Sequence, residues 1–132
     1  MISPQRVEGA LTLAPEIAQA MVFGDQRPYL VGVIVPDPEF AGAYVAEHGG
    51  REVELAALAT DPGFHRAMND VVARVNQGLA AAERVRRFAI ATEPFSIANA
   101  QLTATLKVRR HTIRAAYQSA FEALYDGKGI AA

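Results

Sequence analysis

The stretch "YLVGVIVP", Tyr29 to Pro36, decides the fold. It is almost entirely apolar and rich in β-branched residues, which is typical of a strand covered on both faces, and Pro36 ends it. The preceding "EIAQAMVFG", residues 16–24, resembles a second strand, and "DQRP", residues 25–28, resembles a turn between the two. Two strands joined by a short turn predict an antiparallel hairpin.

Helix signals surround this hairpin. Three helix starts pair a capping side chain with proline at the first helical position, namely Ser3-Pro4, Asp37-Pro38 and Asp61-Pro62. The first predicted helix covers about residues 4–13, and the second ends near the Gly49-Gly50 pair.

The third helix carries the clearest apolar stripe of the chain. Its members are Phe64, Met68, Val71, Val72, Val75 and Leu79. "VRRFAIA", residues 85–91, predicts a third strand, and a last amphipathic helix is marked by Ile113, Tyr117, Phe121 and Leu124. This order, α-β-β-α-α-β-α, predicts an α+β fold in which a small antiparallel sheet of about three strands packs with helices.

Composition limits the class of protein. The 132 residues suit a single domain, and an apolar content of 51% argues against intrinsic disorder. The chain has no cysteine, which excludes disulfides and zinc–thiolate sites. No apolar run approaches the roughly 18–20 residues of a membrane span, and the N-terminus lacks a signal-peptide pattern, so we expect a cytoplasmic protein without a transmembrane segment.

Charge is unevenly distributed along the chain. Residues 84–114 hold seven basic side chains and one acidic side chain, although the whole chain has a net charge of −1. Such a stretch can meet phosphate, a nucleic acid or an acidic partner, or it can be a solvated surface.

Motifs of a self-sufficient enzyme are missing. The sequence has neither GxGxxG nor GxxxxGK[ST], and its serines lack a nucleophile-elbow context. His48, His65 and His111 lack metal-ligand spacing, so we expect them on the surface or in loops and predict no metal site.

Three stretches together resemble the C-terminal domain of AMP-forming acyl-CoA synthetases of the long-chain fatty acid type, within the adenylate-forming superfamily. They are "ISPQRVE" at 2–8, "PEIAQAMVFGDQRPYLVGVIVPD" at 15–37 and "EPFSIANAQLTATLKVRRHTIRAAY" at 93–117. The first resembles the segment after the interdomain hinge, the second the family hairpin, and the third the loop that carries the family's lysine. The order and spacing agree from about Ile2 to Tyr125.

The resemblance implies a function for this chain as a cap, or lid, domain of a fatty acid–CoA ligase. The complete enzyme would use ATP, Mg and CoA, while this chain would hold no cofactor and would be inactive alone. Its partner would be the N-terminal adenylation domain, which lies outside these residues. Lys107 matches the family's catalytic lysine, and Thr105, Arg109 and Arg110 are candidate substrate-binding residues.

The lysine loop departs from the family pattern at two positions. Ala100 replaces the glycine of Asn-Gly, which predicts a stiffer or differently turned loop, and Ala104 replaces a proline. Two other functions stay open. One is a phosphate- or nucleic-acid-binding module, although interleaved exposed aromatics are lacking; the other is a stand-alone interaction partner with the same fold.

Overall fold

Six α-helices and three strands form the part of the chain that the computed structural model describes, residues 3–24 and 29–125. The elements are α1 (Pro4–Thr12), β1 (Ile17–Phe23), β2 (Leu30–Pro36), α2 (Pro38–Glu47), α3 (Leu55–Leu58), α4 (Pro62–Asn76), β3 (Val85–Ile90), α5 (Arg110–Ala116) and α6 (Gln118–Tyr125), with a 3₁₀ turn at Ala81–Glu83. The α+β class is confirmed. The predicted turn at 25–28 lies outside the described residues.

The sheet has the order β1-β2-β3 and is mixed. Strands β1 and β2 pair antiparallel, with Ala20 opposite Ile34, as the hairpin predicts. Strand β3 pairs parallel to β2, with Gly32 opposite Phe88, so the prediction of a wholly antiparallel sheet is wrong for this pair. The physical reason is the connection: the chain passes through α2, α3 and α4 between the two strands, and such a crossover returns the next strand in the same direction.

Strand β2 is buried along its whole length, as predicted. Leu30 and Ile34 face one core, which α1 and α4 cover, while Val31, Val33 and Val35 face a second core under α5 and α6. The sheet therefore separates two layers of helices, and the predicted covering of both faces is confirmed.

The three predicted helix starts are confirmed by their caps. The side chains of Ser3, Asp37 and Asp61 accept hydrogen bonds from backbone N–H groups of the first turns of α1, α2 and α4. Phe64 and Met68 of the α4 stripe are fully buried. Each capped N–H would otherwise lack a partner within its helix, so the caps fix where the helices begin.

Two helical segments differ from the sequence prediction. The short helix α3 was not predicted. The last helix is interrupted at Tyr117, whose backbone leaves helical geometry and whose hydroxyl accepts the Thr92 N–H at 3.2 Å. Ile113 and Phe121, on either side of the interruption, are both buried, so the predicted apolar face is kept by two helices.

Candidate functional site: the lysine hairpin

Lys107 lies on a small hairpin formed by residues 102–108, here called the lysine hairpin. Leu102 and Val108 form an antiparallel bridge at its base and pack against the second core. The Thr103 N–H donates to the Lys107 carbonyl, and the Leu106 N–H donates to the Thr103 carbonyl, both at 2.8 Å. These bonds close a tight loop over residues 104–106, so the position of Lys107 is fixed by backbone hydrogen bonds.

Leu106, the last residue of that loop, has a left-handed backbone with φ +64°. A left-handed third residue is common in three-residue hairpin loops, where it matches the twist of the two arms. The conformation costs a residue with a Cβ roughly 1–2 kcal/mol. The hairpin therefore stores strain directly before Lys107.

Hydroxyl groups reinforce the loop from inside. The Thr103 hydroxyl accepts the Lys107 N–H at 3.1 Å and lies 3.1 Å from the Thr105 hydroxyl. Thr105 is exposed, so its predicted role in substrate binding stays a prediction, while its described contact is within the loop.

The Lys107 side chain is exposed. Within residues 3–24 and 29–125, its ammonium group makes no hydrogen bond and no ion pair. The backbone of this residue is held at both its N–H and its carbonyl, while the cation projects into solvent. This arrangement presents a positive charge on a fixed support.

Asn99 organises the segment that leads into the hairpin. Its Oδ1 accepts the N–H groups of Ser96 at 3.1 Å and Gln101 at 3.0 Å, and its Nδ2 donates to the Pro94 carbonyl at 2.9 Å and to Glu93 Oε1 at 3.0 Å. One amide side chain thus satisfies four groups of its own loop, which is a strong local constraint on an irregular segment.

Ala100 also has a positive φ, +64°. The sequence predicts a stiffer or differently turned loop here because alanine replaces glycine. In the structure the alanine adopts the left-handed conformation that a glycine would adopt more easily. The turn is therefore made at the cost of backbone strain.

Gln19 ties the same segment to the sheet. Its side-chain amide donates to the Phe95 carbonyl at 3.0 Å and accepts the Phe95 N–H at 2.8 Å, while the Phe95 ring is buried. This paired hydrogen bond resembles the bonding between neighbouring strands, and it anchors the approach to the lysine hairpin on β1.

Arg109 and Arg110 follow the hairpin and lie in different environments. Arg109 is exposed at the start of α5, and its backbone N–H donates to the Gln101 carbonyl at 2.9 Å. Arg110 forms an ion pair with Glu8 of α1 and donates from Nη1 to the Val22 carbonyl at 3.2 Å. The predicted substrate-binding role of Arg110 is untested, but its guanidinium group is already engaged within the chain.

Glu8 was missed by the sequence reasoning. Its second carboxylate oxygen accepts the Val22 N–H at 2.8 Å, so Glu8 and Arg110 together satisfy both backbone groups of Val22 on the outer edge of β1. A signal was present: Glu8 lies three residues before Leu11 and next to Val7, on the face of α1 that enters the core. A carboxylate at such a position needs a partner.

Several basic side chains of residues 84–114 make contacts within the chain. Arg84 donates to the Leu79 carbonyl at 3.2 Å, and the Arg114 guanidinium lies 3.9 Å from the centroid of the Phe23 ring. With Arg110, three of the seven cations serve contacts within the chain. This does not favour the nucleic-acid alternative, which needs cations free to meet phosphates.

His65 corrects a sequence prediction, because it is buried in α4 rather than exposed or in a loop. Its Nε2 lies 3.1 Å from the Phe88 carbonyl, and its ring stacks on the Phe88 ring with centroids 4.3 Å apart. Burial lowers the pKa of this imidazole, since a charged ring would lose solvation. His48 and His111 are exposed, as predicted.

Known proteins resemble this chain over nearly its whole length. The family model described as "AMP-binding enzyme C-terminal domain" matches residues 1–129. The human long-chain-fatty-acid–CoA ligase 6 is 32% identical over 128 residues, which are 95% of this chain and 18% of that protein. Long-chain-fatty-acid–CoA ligase FadD15 of Mycobacterium tuberculosis (strain ATCC 25618 / H37Rv) is 32% identical over 126 residues, 95% of this chain and 21% of the relative.

Solved structures show the same fold. The adenylation domain of a carboxylate reductase from Mycobacterium chelonae superposes with a TM-score of 0.76 at 27% identity, covering 95% of this chain and 18% of that one. The A-PCP didomain of carboxylic acid reductase from Segniliparus rugosus, in complex with AMP, gives a TM-score of 0.72 at 31% identity, covering 96% of this chain and 16% of that one.

The chain spans about a fifth of the length of the relatives that it matches. Among the helices of the described ranges, none is long and apolar enough to cross a membrane. The match of the family model over nearly every residue, and the shared fold, lead to one conclusion. The chain belongs to the family of AMP-binding enzyme C-terminal domains.

Proposed function

We propose that residues 1–132 form the C-terminal cap domain of an ATP-dependent, AMP-forming long-chain fatty acid–CoA ligase. Family membership and the ligase relatives support this assignment. Its partner is the N-terminal adenylation domain of the same enzyme, and the complete protein acts on ATP, a fatty acid and CoA in the cytoplasm. The chain supplies a cation for the first step and part of the surface on the CoA side.

The reaction of such a ligase has two steps, and the first brings two anions together. A fatty acid carboxylate attacks the α-phosphorus of ATP, which gives acyl-AMP and pyrophosphate. The CoA thiol then attacks the acyl-AMP carbonyl and releases AMP. A fixed cation near the α-phosphate and the carboxylate stabilises the first transition state, and such groups are typically worth about 10²–10³-fold in rate.

Lys107 is the residue that we assign to this role. The observation that carries the assignment is its exposed ammonium group, without a partner among the described residues, on a hairpin that is held by hydrogen bonds at its base. A compact ammonium on a long stem can enter and leave a site as the cap moves.

The neighbouring side chains divide into two groups. Arg109 and Thr105 are exposed beside Lys107, and we propose that they contact substrate or the adenylation domain. Arg110 pairs with Glu8, and its contact with substrate stays a prediction.

The complete ligase uses magnesium to screen the phosphates of ATP. Within the described residues, no three His, Asp or Glu side chains lie close enough together to hold a metal ion.

Single-turnover kinetics of the complete ligase, in which this chain follows its adenylation domain, test the assignment. Lys107→Ala should slow acyl-AMP formation by at least about 10²-fold. Thioester formation from supplied acyl-AMP should fall far less, because the cap has by then moved the lysine away. Lys107→Arg should recover little activity, since a planar guanidinium does not replace a compact ammonium.

The matched control is Arg51→Ala, which removes an exposed cation from a different loop and should leave both steps unchanged. An undiminished first step in Lys107→Ala, or equal losses in both steps, would refute the role of Lys107.

A further inference from the structure

Leu106 combines two features that are unfavourable in the isolated chain. Its φ is +64°, a conformation that glycine adopts without steric cost, and its side chain is 66% exposed. A leucine in water contributes no burial to the stability of the fold. Neither the backbone of the loop nor the cores described above accounts for a leucine at this position.

The hairpin needs the conformation but not the side chain. The hydrogen bonds from Leu106 N–H to Thr103 and from Thr103 N–H to Lys107 involve backbone atoms alone. Glycine would allow the same bonds with less strain. Ala100, the other left-handed residue with a Cβ in the described ranges, exposes only a methyl group, so a large apolar side chain is particular to Leu106.

We propose that the Leu106 side chain is an apolar contact that packs against the adenylation domain when Lys107 enters the active site. This inference rests on the proposed function. The adenylation domain is the partner that can cover Leu106, because about four fifths of the length of the relatives lies outside the matched region. The contact sets how closely the hairpin approaches the adenylation domain. Leu106 is thus a positioning residue, which acts on the reaction through its neighbour Lys107.

The left-handed turn determines the direction in which the Leu106 side chain leaves the backbone. The backbone of Leu106 is fixed by its own N–H bond, and that of Lys107 by bonds at both N–H and carbonyl. The Cα–Cβ bonds of these two adjacent residues therefore keep a constant relative direction. Burial of the leucine against a second surface would thus also set where the lysine side chain leaves the backbone.

The experiment measures both half-reactions of the complete ligase for Leu106→Ala, Leu106→Gly and Leu106→Met. Leu106→Ala should slow acyl-AMP formation by about 10–50-fold, the loss expected when about three apolar carbons leave a buried contact. Thioester formation from supplied acyl-AMP should change less than about threefold. Leu106→Met, which keeps an apolar side chain of similar volume, should recover most of the rate.

Leu106→Gly separates positioning from stability. Relief of the positive φ should raise the melting temperature of the chain, while the loss of the side chain should slow the first step as Leu106→Ala does. A residue with only a structural role would not change stability and activity in opposite directions.

Two control variants match the test. Leu13→Ala removes an exposed leucine that directly follows α1, and Ala100→Gly relieves the other positive φ. Both should keep a first step within about twofold of the unmodified enzyme, well inside the loss expected at Leu106.

The outcomes separate this inference from the proposed function. If Lys107→Ala abolishes the first step while Leu106→Ala and Leu106→Gly leave it unchanged, the contact is refuted and the ligase assignment stands. Equal losses in both half-reactions at Leu106 also refute it. If Lys107→Ala has no effect, the proposed role of Lys107 itself is refuted.

Discussion

Replacement of Glu8 by alanine is the most informative test of the contacts that hold the segment after the lysine hairpin, which begins with Arg109 and Arg110. The Glu8 carboxylate accepts the Val22 N–H at 2.8 Å and pairs with Arg110. The side chain of Glu8 is 11% exposed and that of Arg110 is 34% exposed, so the carboxylate is largely removed from water while the guanidinium group is partly exposed. Glu8→Ala therefore leaves a buried backbone donor and a cation without their partner.

The magnitude follows from these contacts. An unsatisfied buried N–H costs about 1–3 kcal/mol. Loss of the counter-ion for a partly exposed arginine adds up to about 1 kcal/mol. Glu8→Ala should thus lower the free energy of unfolding by roughly 1–4 kcal/mol, and the melting temperature by about 3–4 °C for each kcal/mol in a chain of this size.

A double-mutant cycle with Arg110→Ala isolates the pair. Arg110→Ala loses the ion pair and the bond to the Val22 carbonyl, and should cost about 1–3 kcal/mol. The double variant should be less destabilised than the sum of the single variants by at least about 1 kcal/mol, because the two residues share one network. Urea unfolding of the 132-residue chain, followed by circular dichroism, measures all four corners.

The chain offers a matched control in the ion pair of Glu16 and Arg74. Their side chains are 20% and 56% exposed, and Glu16 Oε1 lies 2.7 Å from Arg74 Nη2. Arg74 lowers the pKa of Glu16 through their hydrogen bond, yet solvent screens this pair. The same cycle there should give a coupling below about 1 kcal/mol. The reasoning fails if Glu8→Ala costs less than about 0.5 kcal/mol, or if the two cycles give equal couplings.

Two further predictions concern Ala100 and His65. Ala100→Gly should raise the free energy of unfolding, measured in urea, by about 0.5–1 kcal/mol, because it relieves the positive φ. Ala104→Gly, at a position without a positive φ, should not stabilise the chain. Equal effects of the two substitutions would contradict this account. Because burial lowers the pKa of His65, the unfolded chain takes up its proton first as the pH falls, so stability should decrease from pH 7 toward pH 5 by at most about 1.4 kcal/mol per pH unit. His65→Gln should reduce that decrease in urea unfolding at the two pH values, and an unchanged pH dependence would show that another group is responsible.

Local patterns predicted the elements of this fold better than their arrangement. The burial of β2 on both faces follows from its own composition, and the caps at Asp37 and Asp61 follow from adjacent residues. The direction of β3 does not, because it depends on how three helices cross the sheet before the strand begins. Its apolar alternation is the same in a parallel or an antiparallel pair.

The candidate site shows the same division. A resemblance of motifs pointed to Lys107, and the structure places that residue on an exposed hairpin. The engagement of Arg110 was not predictable in this way, since its partner Glu8 is 102 residues away in sequence. His65 likewise bonds to a carbonyl 23 residues away, so its burial depends on tertiary packing that spacing alone does not reveal.

The contrast between the base and the tip of the lysine hairpin bears on how a cap domain can work. The segments on either side of the hairpin are tied to the body of the domain, the preceding one to β1 through Gln19 and the following one to α1 through Arg110 and Glu8. The base of the hairpin therefore moves with that body. The tip carries a strained leucine and a solvated lysine, neither of which the fold of this chain requires. If the domain rotates as a rigid body, a hairpin that is fixed to it carries the Lys107 ammonium group through the same rotation. A hairpin that could move relative to the domain would leave the position of that group undefined. Loss of the Glu8–Arg110 pair should therefore slow acyl-AMP formation in the complete ligase even where the fold survives, through the position of Lys107 and not through its charge.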